Sequence, residues 1–146
     1  MLQQKPFLTA YQDSSLFGTR AKRWLNSQKT GRKIILQNIK KLSQNGIRIM
    51  TGTDAGNLGT FQGYSVHTEL ALLVEAGLSP WQALAASATV PGEFWGKSFG
   101  VQPGDEANLV VLSASPIEDI RNTEKIEMII HHGKVVDREK LIAVQK

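Results

Sequence analysis

The chain of 146 residues has no cysteine and only three histidines. The first absence excludes disulfides, cysteine-ligated zinc, iron–sulfur clusters and thiol nucleophiles. Any metal would have to sit on histidine and carboxylate ligands, and the histidines are too few for a histidine-rich centre. No apolar run approaches the roughly 18 residues of a spanning helix, so a membrane is not expected as a partner. The opening Met-Leu-Gln-Gln-Lys-Pro-Phe lacks the apolar core of a secretory signal. A cytoplasmic location is expected if residue 1 is the true start, and localisation is otherwise open. Phosphate-binding signatures are also missing. Glycines 52, 56, 59 and 63 spell neither G-x-x-x-x-G-K-[ST] nor G-x-G-x-x-G.

What is present can fold. Hydrophobic residues make up 41% and charged residues 21% of the chain, a globular balance rather than a disordered one. By length alone it is about one domain. The net charge of +4 is unevenly placed: residues 1–53 carry ten Lys/Arg against one acid, and residues 54–146 carry seven against twelve. Such asymmetry fits a nucleic-acid surface or two oppositely charged halves that pack together. No nucleic-acid motif accompanies it, so nucleic acid is not expected as a partner.

Residues 1–30 are polar and weakly patterned, which predicts a loop with at most a short helix over 21–26. From Lys33 the pattern sharpens. Ile35, Ile39 and Leu42 recur at helical spacing, and Gly46 stands where a glycine ends a helix. Residues 47–50 read as a short strand running into Thr51-Gly52-Thr53-Asp54-Ala55-Gly56. Helix, glycine, strand and polar loop form half of a βαβ unit and imply a parallel sheet. Residues 66–76 read as a helix with Leu70, Leu73 and Val74 as its buried stripe and Gly77 as its stop. Ser79-Pro80-Trp81-Gln82 opens another, with a capping box and proline at N1. Beyond Gly100 the pattern turns to β: a strand over 107–112, a loop or single turn over 116–120, and a hairpin of 126–131 and 134–136 around His132-Gly133.

Asp54 is the first candidate for chemistry. It lies just past the end of a predicted parallel strand, where α/β folds place catalytic groups, and small neighbours leave room for a ligand. Thr-Asp-Ala-Gly is equally ordinary turn chemistry. Glu69 would favour a helix N-terminus electrostatically with no further role. His67 is two residues from it, so the pair does not share a helical face as metal ligands would. His131 and His132 are adjacent in a predicted hairpin, should point to opposite faces, and read as exposed histidines rather than a chelating pair.

Taken in order, the stretches 46–56, 67–80, 83–89, 100–112, 116–120 and 133–136 resemble the C-terminal part of the metal-dependent amidohydrolase superfamily. The imidazolonepropionase-like and Xaa-Pro dipeptidase-like branch is the most similar. The resemblance implies an α/β fold: the C-terminal part of a (β/α)8 TIM-type barrel over 1–100, then strands of a small composite β-sandwich over 101–146. It implies hydrolysis of C–N bonds in amide, cyclic amide or dipeptide substrates by a metal-activated water. Asp54 would be metal ligand and proton shuttle, His67 would contact substrate, and the divalent metal would be zinc. Asn108 stands where the family usually has a structural Asp. The His-x-His and the further histidines of such a site are missing. The chain alone is therefore expected to be an inactive fragment, to lack the N-terminal barrel portion as a partner, and to self-associate. The alternative is a non-catalytic remnant or split-subunit module that pairs with a separate N-terminal polypeptide.

Overall fold

The computed structural model describes residues 18–57, 59–98 and 101–143, with side chains between residues 31 and 140. Of the loop predicted over 1–30, residues 1–17 lie outside the described residues, as does Gly100, near which the domain boundary is expected. In chain order the elements are α1 (Gly18–Gln44), α2 (Tyr64–Glu75), α3 (Pro80–Ser87), α4 (Thr89–Phe94), β1 (Leu109–Leu112), a 3-10 turn (Ile120–Glu124), β2 (Ile126–His131), β3 (Lys134–Val135) and α5 (Arg138–Ala143).

The helix signals that are purely local form as predicted. At α3, Ser79 Oγ accepts the Gln82 amide at 3.2 Å while Gln82 Oε1 accepts the Ser79 amide at 2.8 Å, with Pro80 at the first position. Two N–H groups that the helix itself leaves unpaired are thereby satisfied. Helix α2 follows Gly63 and stops before Gly77, whose φ of 105° is a conformation that glycine adopts without steric cost. Leu70 and Leu73 are buried and Val74 packs at the edge of the core.

Three expectations are corrected. Residues 18–44 form one helix, not a loop followed by a helix from Lys33. Gly31 and the polar residues around it weaken helical propensity by about 1 kcal/mol at the glycine, which is too little to break the element. The buried side of α1 is also different: Leu36 and Ile39 reach the core, whereas Ile34, Ile35 and Leu42 are exposed. Finally, residues 47–50 are extended but pair with no strand among the described residues. A parallel strand needs neighbours from distant parts of a chain, and the described residues supply none. The sheet that does form is antiparallel, in the order β1-β2-β3.

That sheet pairs Leu109 with Ile130 and Val111 with Met128, then shifts register so that Leu112 meets Ile126. The β2–β3 hairpin turns at His132 (φ 48°) and Gly133 (φ 75°), both left-handed as a type I′ turn requires. The core lies where α2, α3 and the 3-10 turn converge: Leu70, Leu73, Ala76, Leu78, Ala83, Ala86 and Ile120. Ile49 of the extended segment packs against its edge, and Arg48 beside it bonds Glu93 of α4 at 2.8 Å, so the segment is held against the helices.

Candidate active site

The Asp54 loop is anchored at consecutive amides. Thr51 N–H donates to the Ala86 carbonyl of α3 at 2.9 Å. Gly52 N–H donates to Glu69 Oε1 of α2 at 2.8 Å. Asp54 itself has φ 49°, a left-handed conformation that Asp tolerates better than most residues. Its carbonyl accepts Asn57 N–H at 3.2 Å and Thr60 Oγ1 at 3.0 Å. Its Oδ2 accepts the Asn57 side-chain amide. The carboxylate is exposed, so it is presented outward by a loop whose backbone is fixed on both sides.

Glu69 has a different job from the one its sequence position suggests. Helix α2 begins at Tyr64, and its first turn holds no acid. Glu69 lies beyond that turn, so the helix-dipole reading is corrected. The carboxylate reaches across to Gly52 instead, and its second oxygen is buried with no hydrogen-bond partner among the described residues.

His67 is half-buried, with Nδ1 3.0 Å from Thr123 Oγ1. Thr123 is buried, and its hydroxyl proton is committed to the Ile120 carbonyl at 2.9 Å. A hydroxyl has one proton, so His67 Nδ1 must be the donor in this pair. With Nδ1 as the donor, Nε2 of the neutral form is the acceptor. Tyr64 meets the same ring edge-on, with centroids 6.1 Å apart. No hydrogen bond joins Asp54 to His67: each has its own partner, Asn57 for one and Thr123 for the other.

The other two histidines are exposed, as expected, but not on opposite faces. His132 sits in the turn with positive φ, where strand alternation no longer applies, and the two ring centroids lie 4.0 Å apart. Asn108 Oδ1 faces His131 Nδ1 at 2.8 Å and accepts His132 N–H at 3.0 Å. Glu106 pairs with the His132 ring. Asn108 thus fastens the hairpin turn to β1, a structural role.

Among the described residues, no group of three or more His, Asp or Glu side chains is placed to hold a metal ion. Catalytic zinc takes three protein ligands. Asp54 alone does not fit such a centre, so the described residues cannot form one by themselves.

A long helix, an extended segment entering an acid-bearing loop, two helices that hold that loop and a three-stranded antiparallel sheet make a small α/β unit. The amidohydrolase family model matches residues 32–136, and the chain belongs to that family. Among solved structures it is similar to a protein assigned as a prolidase from Bifidobacterium longum, at 31% identity and TM-score 0.65 over 75% of this chain and 29% of that one. It is also similar to phenylurea hydrolase B, at 25% identity and TM-score 0.65 over 73% and 27%. Molinate hydrolase, at 21% identity and TM-score 0.66 over 72% and 27%, shares the fold. The chain therefore spans between a quarter and a third of the length of these structures. No curated protein sequence matches it.

Proposed function

We propose that the chain is the closing part of an amidohydrolase barrel that hydrolyses C–N bonds in small amide or dipeptide substrates, with Asp54 as its catalytic carboxylate. The observation that carries this reading is the presentation of Asp54: an exposed carboxylate just past an extended segment, on a loop tied to two helices. A carboxylate so placed takes a proton from attacking water and returns it to the leaving nitrogen, a contribution of about 10²–10⁴-fold in rate. Two solved neighbours support the bond type by name, a phenylurea hydrolase and an Xaa-Pro dipeptidase. Urea and peptide groups both join a carbonyl carbon to nitrogen.

In this reading residues 1–100 complete the barrel, and residues 101–146 contribute strands to a composite β-sandwich. His67 contacts substrate. Amidohydrolases generally use a divalent metal, for which zinc is our expectation. Asp54 would be the ligand that the described residues supply to it, the others coming from polypeptide outside them. A second reading, a non-catalytic module that self-associates or pairs with a separate polypeptide, draws on the exposed Ile35, Leu42, Ile47 and Met50. In both readings the isolated chain is oligomeric, and a monodisperse monomer in light scattering would count against both.

The test assays Xaa-Pro dipeptides and phenylureas with added zinc or manganese. The full chain is used alone and together with the portion of the Bifidobacterium longum protein that it does not match. Alone, it should turn over nothing and retain no stoichiometric zinc after dialysis. Complemented, it should gain activity that Asp54→Asn lowers at least 100-fold, within the range for a lost acid–base group. Full activity in the complemented Asp54→Asn variant overturns the catalytic reading, and a tightly bound zinc on the isolated chain overturns the single-ligand reading.

A further inference from the structure

We infer that Glu69 is a positioning residue: it latches the backbone at Gly52 and thereby sets the place of the Asp54 carboxylate. The inference deepens the hydrolase reading and, for its catalytic consequence, rests on it. Glu69 projects from a helix whose neighbouring positions, Val66, Leu70 and Leu73, serve the apolar core. A carboxylate there is costly unless both oxygens are satisfied. One oxygen binds Gly52 N–H at 2.8 Å, and the other is sequestered from solvent with no partner among the described residues. Packing alone would favour an apolar side chain at this position. What the carboxylate adds is a charge-assisted hold on one backbone amide, stronger than a neutral hydrogen bond.

The place of that amide gives the latch its meaning. Thr51 N–H is already fixed to the Ala86 carbonyl of α3. Fixing Gly52 N–H to α2 as well orients the chain at two successive residues through two different helices. Beyond Gly52 only Thr53 intervenes before Asp54, and each residue has just two soft dihedrals. On the far side the Asp54 carbonyl is held by Asn57 and Thr60. Without Glu69 the loop keeps its downstream ties and loses the near one. Glycine at 52 is not demanded by space, since an added Cβ there would meet nothing within 4 Å. The contact therefore depends on the amide and the carboxylate, and not on a tight fit. Effective catalysis depends on placement at this scale, because a shift of about 1 Å in a reacting group can cost about 100-fold in rate.

The experiment compares Glu69→Ala and Glu69→Gln in the full chain by amide hydrogen exchange, and then in the complemented hydrolase by kinetics. In Glu69→Ala, Gly52 N–H should exchange at least tenfold faster, while the core amides of Leu78 and Ala83 keep their protection. Glu69→Gln keeps an acceptor oxygen and should restore most of the protection at Gly52. In the complemented enzyme Glu69→Ala should lower kcat at least tenfold with KM little changed, and Glu69→Gln should recover most of it. Unchanged exchange at Gly52 in Glu69→Ala overturns the latch. So does a joint loss at Gly52, Leu78 and Ala83 in both variants, which would mark Glu69 as a general support of the fold. An unprotected Gly52 with kcat intact overturns the positioning role and leaves the hydrolase reading standing. Failure of the hydrolase reading shows separately, as full activity in Asp54→Asn, and the exchange arm reads the latch without any turnover.

Discussion

The α2–α3 corner and the segment from 47 to 57 touch through two hydrogen bonds, yet their residues are satisfied in different ways. In the corner nearly every demand is met nearby. Ser79 and Gln82 cap each other, Leu70, Leu73, Ala83 and Ala86 bury one another, and Ile120 of the 3-10 turn closes the cluster. In the segment, Ile47 and Met50 stay exposed, the extended backbone has no lateral strand among the described residues, and Asp54 is exposed. One region is finished by its own residues. The other is held by the first, by Arg48 on Glu93 of α4 at 2.8 Å and by Thr60 on the Asp54 carbonyl, and it leaves the Asp54 carboxylate exposed, where a catalytic group is useful.

The sharpest way to break this comparison is to remove a large side chain from each region. Leu73→Ala empties a buried site and should cost about 2–5 kcal/mol, the usual range for such a truncation. Ile47→Ser, on an exposed side chain, should stay within about 0.5 kcal/mol in the isolated chain. Denaturant unfolding followed by circular dichroism measures both. If Ile47→Ser costs as much as Leu73→Ala, the segment is packed and the contrast fails.

Next in size is Thr123→Val, which leaves the His67 Nδ1–H without its acceptor in a half-buried setting. A loss of about 1–3 kcal/mol follows from an unsatisfied donor, and Thr123→Ser should recover most of it. Nitrogen chemical shifts of the imidazole check the cause directly. The proton should reside on Nδ1 in the parent chain and redistribute toward Nε2 in Thr123→Val. An unaltered tautomer would show that Thr123 does not fix it.

Which parts of this arrangement were readable beforehand follows from how far apart the partners are. The α3 start needs only Ser79 and Gln82, three residues apart, and was legible. So were the α2 stripe and the His132-Gly133 turn, whose requirements are local. The Gly52–Glu69 pair spans 17 residues and the His67–Thr123 pair 56. No periodicity reports such pairs: Glu69 reads as an ordinary helix residue, and His67 is a candidate only through the family resemblance. Helix α1 is longer than its pattern suggests because Gly31 and its polar surroundings look like a loop, although helical neighbours on both sides outweigh them. Residues 47–50 have the composition of a strand, but a strand is a relation to a neighbour, and composition cannot supply the neighbour. Asp54 was legible as a candidate because its small flanking residues are themselves the signal.

A smaller effect tests how local the corner's independence is. Ser79→Ala removes the acceptor for Gln82 N–H and should cost about 1 kcal/mol, as cap losses typically do. Its exchange footprint should be confined to the first turn of α3, leaving the Thr51 amide, which is held at Ala86 in the last turn, protected. Spread of the loss into β1 and β2 would mean that the sheet and the helices share one cooperative unit more tightly than the contacts suggest.

The smallest expected effect concerns the 3-10 turn that carries both Ile120 and Thr123. Asp119 caps this turn by accepting Arg121 N–H at 3.0 Å and pairs with the Arg121 guanidinium. The side-chain hydrogen bond from Arg121, followed by its backbone N–H, holds the Asp119 carboxyl below its ordinary value of 3.8. A carboxyl depressed in the folded state binds a proton less readily there than in the unfolded chain. Its contribution is therefore complete above the ordinary value and fades as pH falls through the lower folded one. Because Asp119 and Arg121 are solvent-exposed, the contribution is small. Asp119→Asn keeps an oxygen for the Arg121 amide and loses the charge, so it should flatten this part of the acid limb while leaving stability at neutral pH nearly unchanged. Asp105 is also held low, by Ser98 and then by the Gln102 amide. It lies outside the turn, so Asp105→Asn is the control. If Asp119→Asn alters His67 exchange or tautomer in acid and Asp105→Asn does not, the cap reaches the His67 side chain through Thr123. Equal effects from both substitutions would reduce the Asp119 contact to general surface charge.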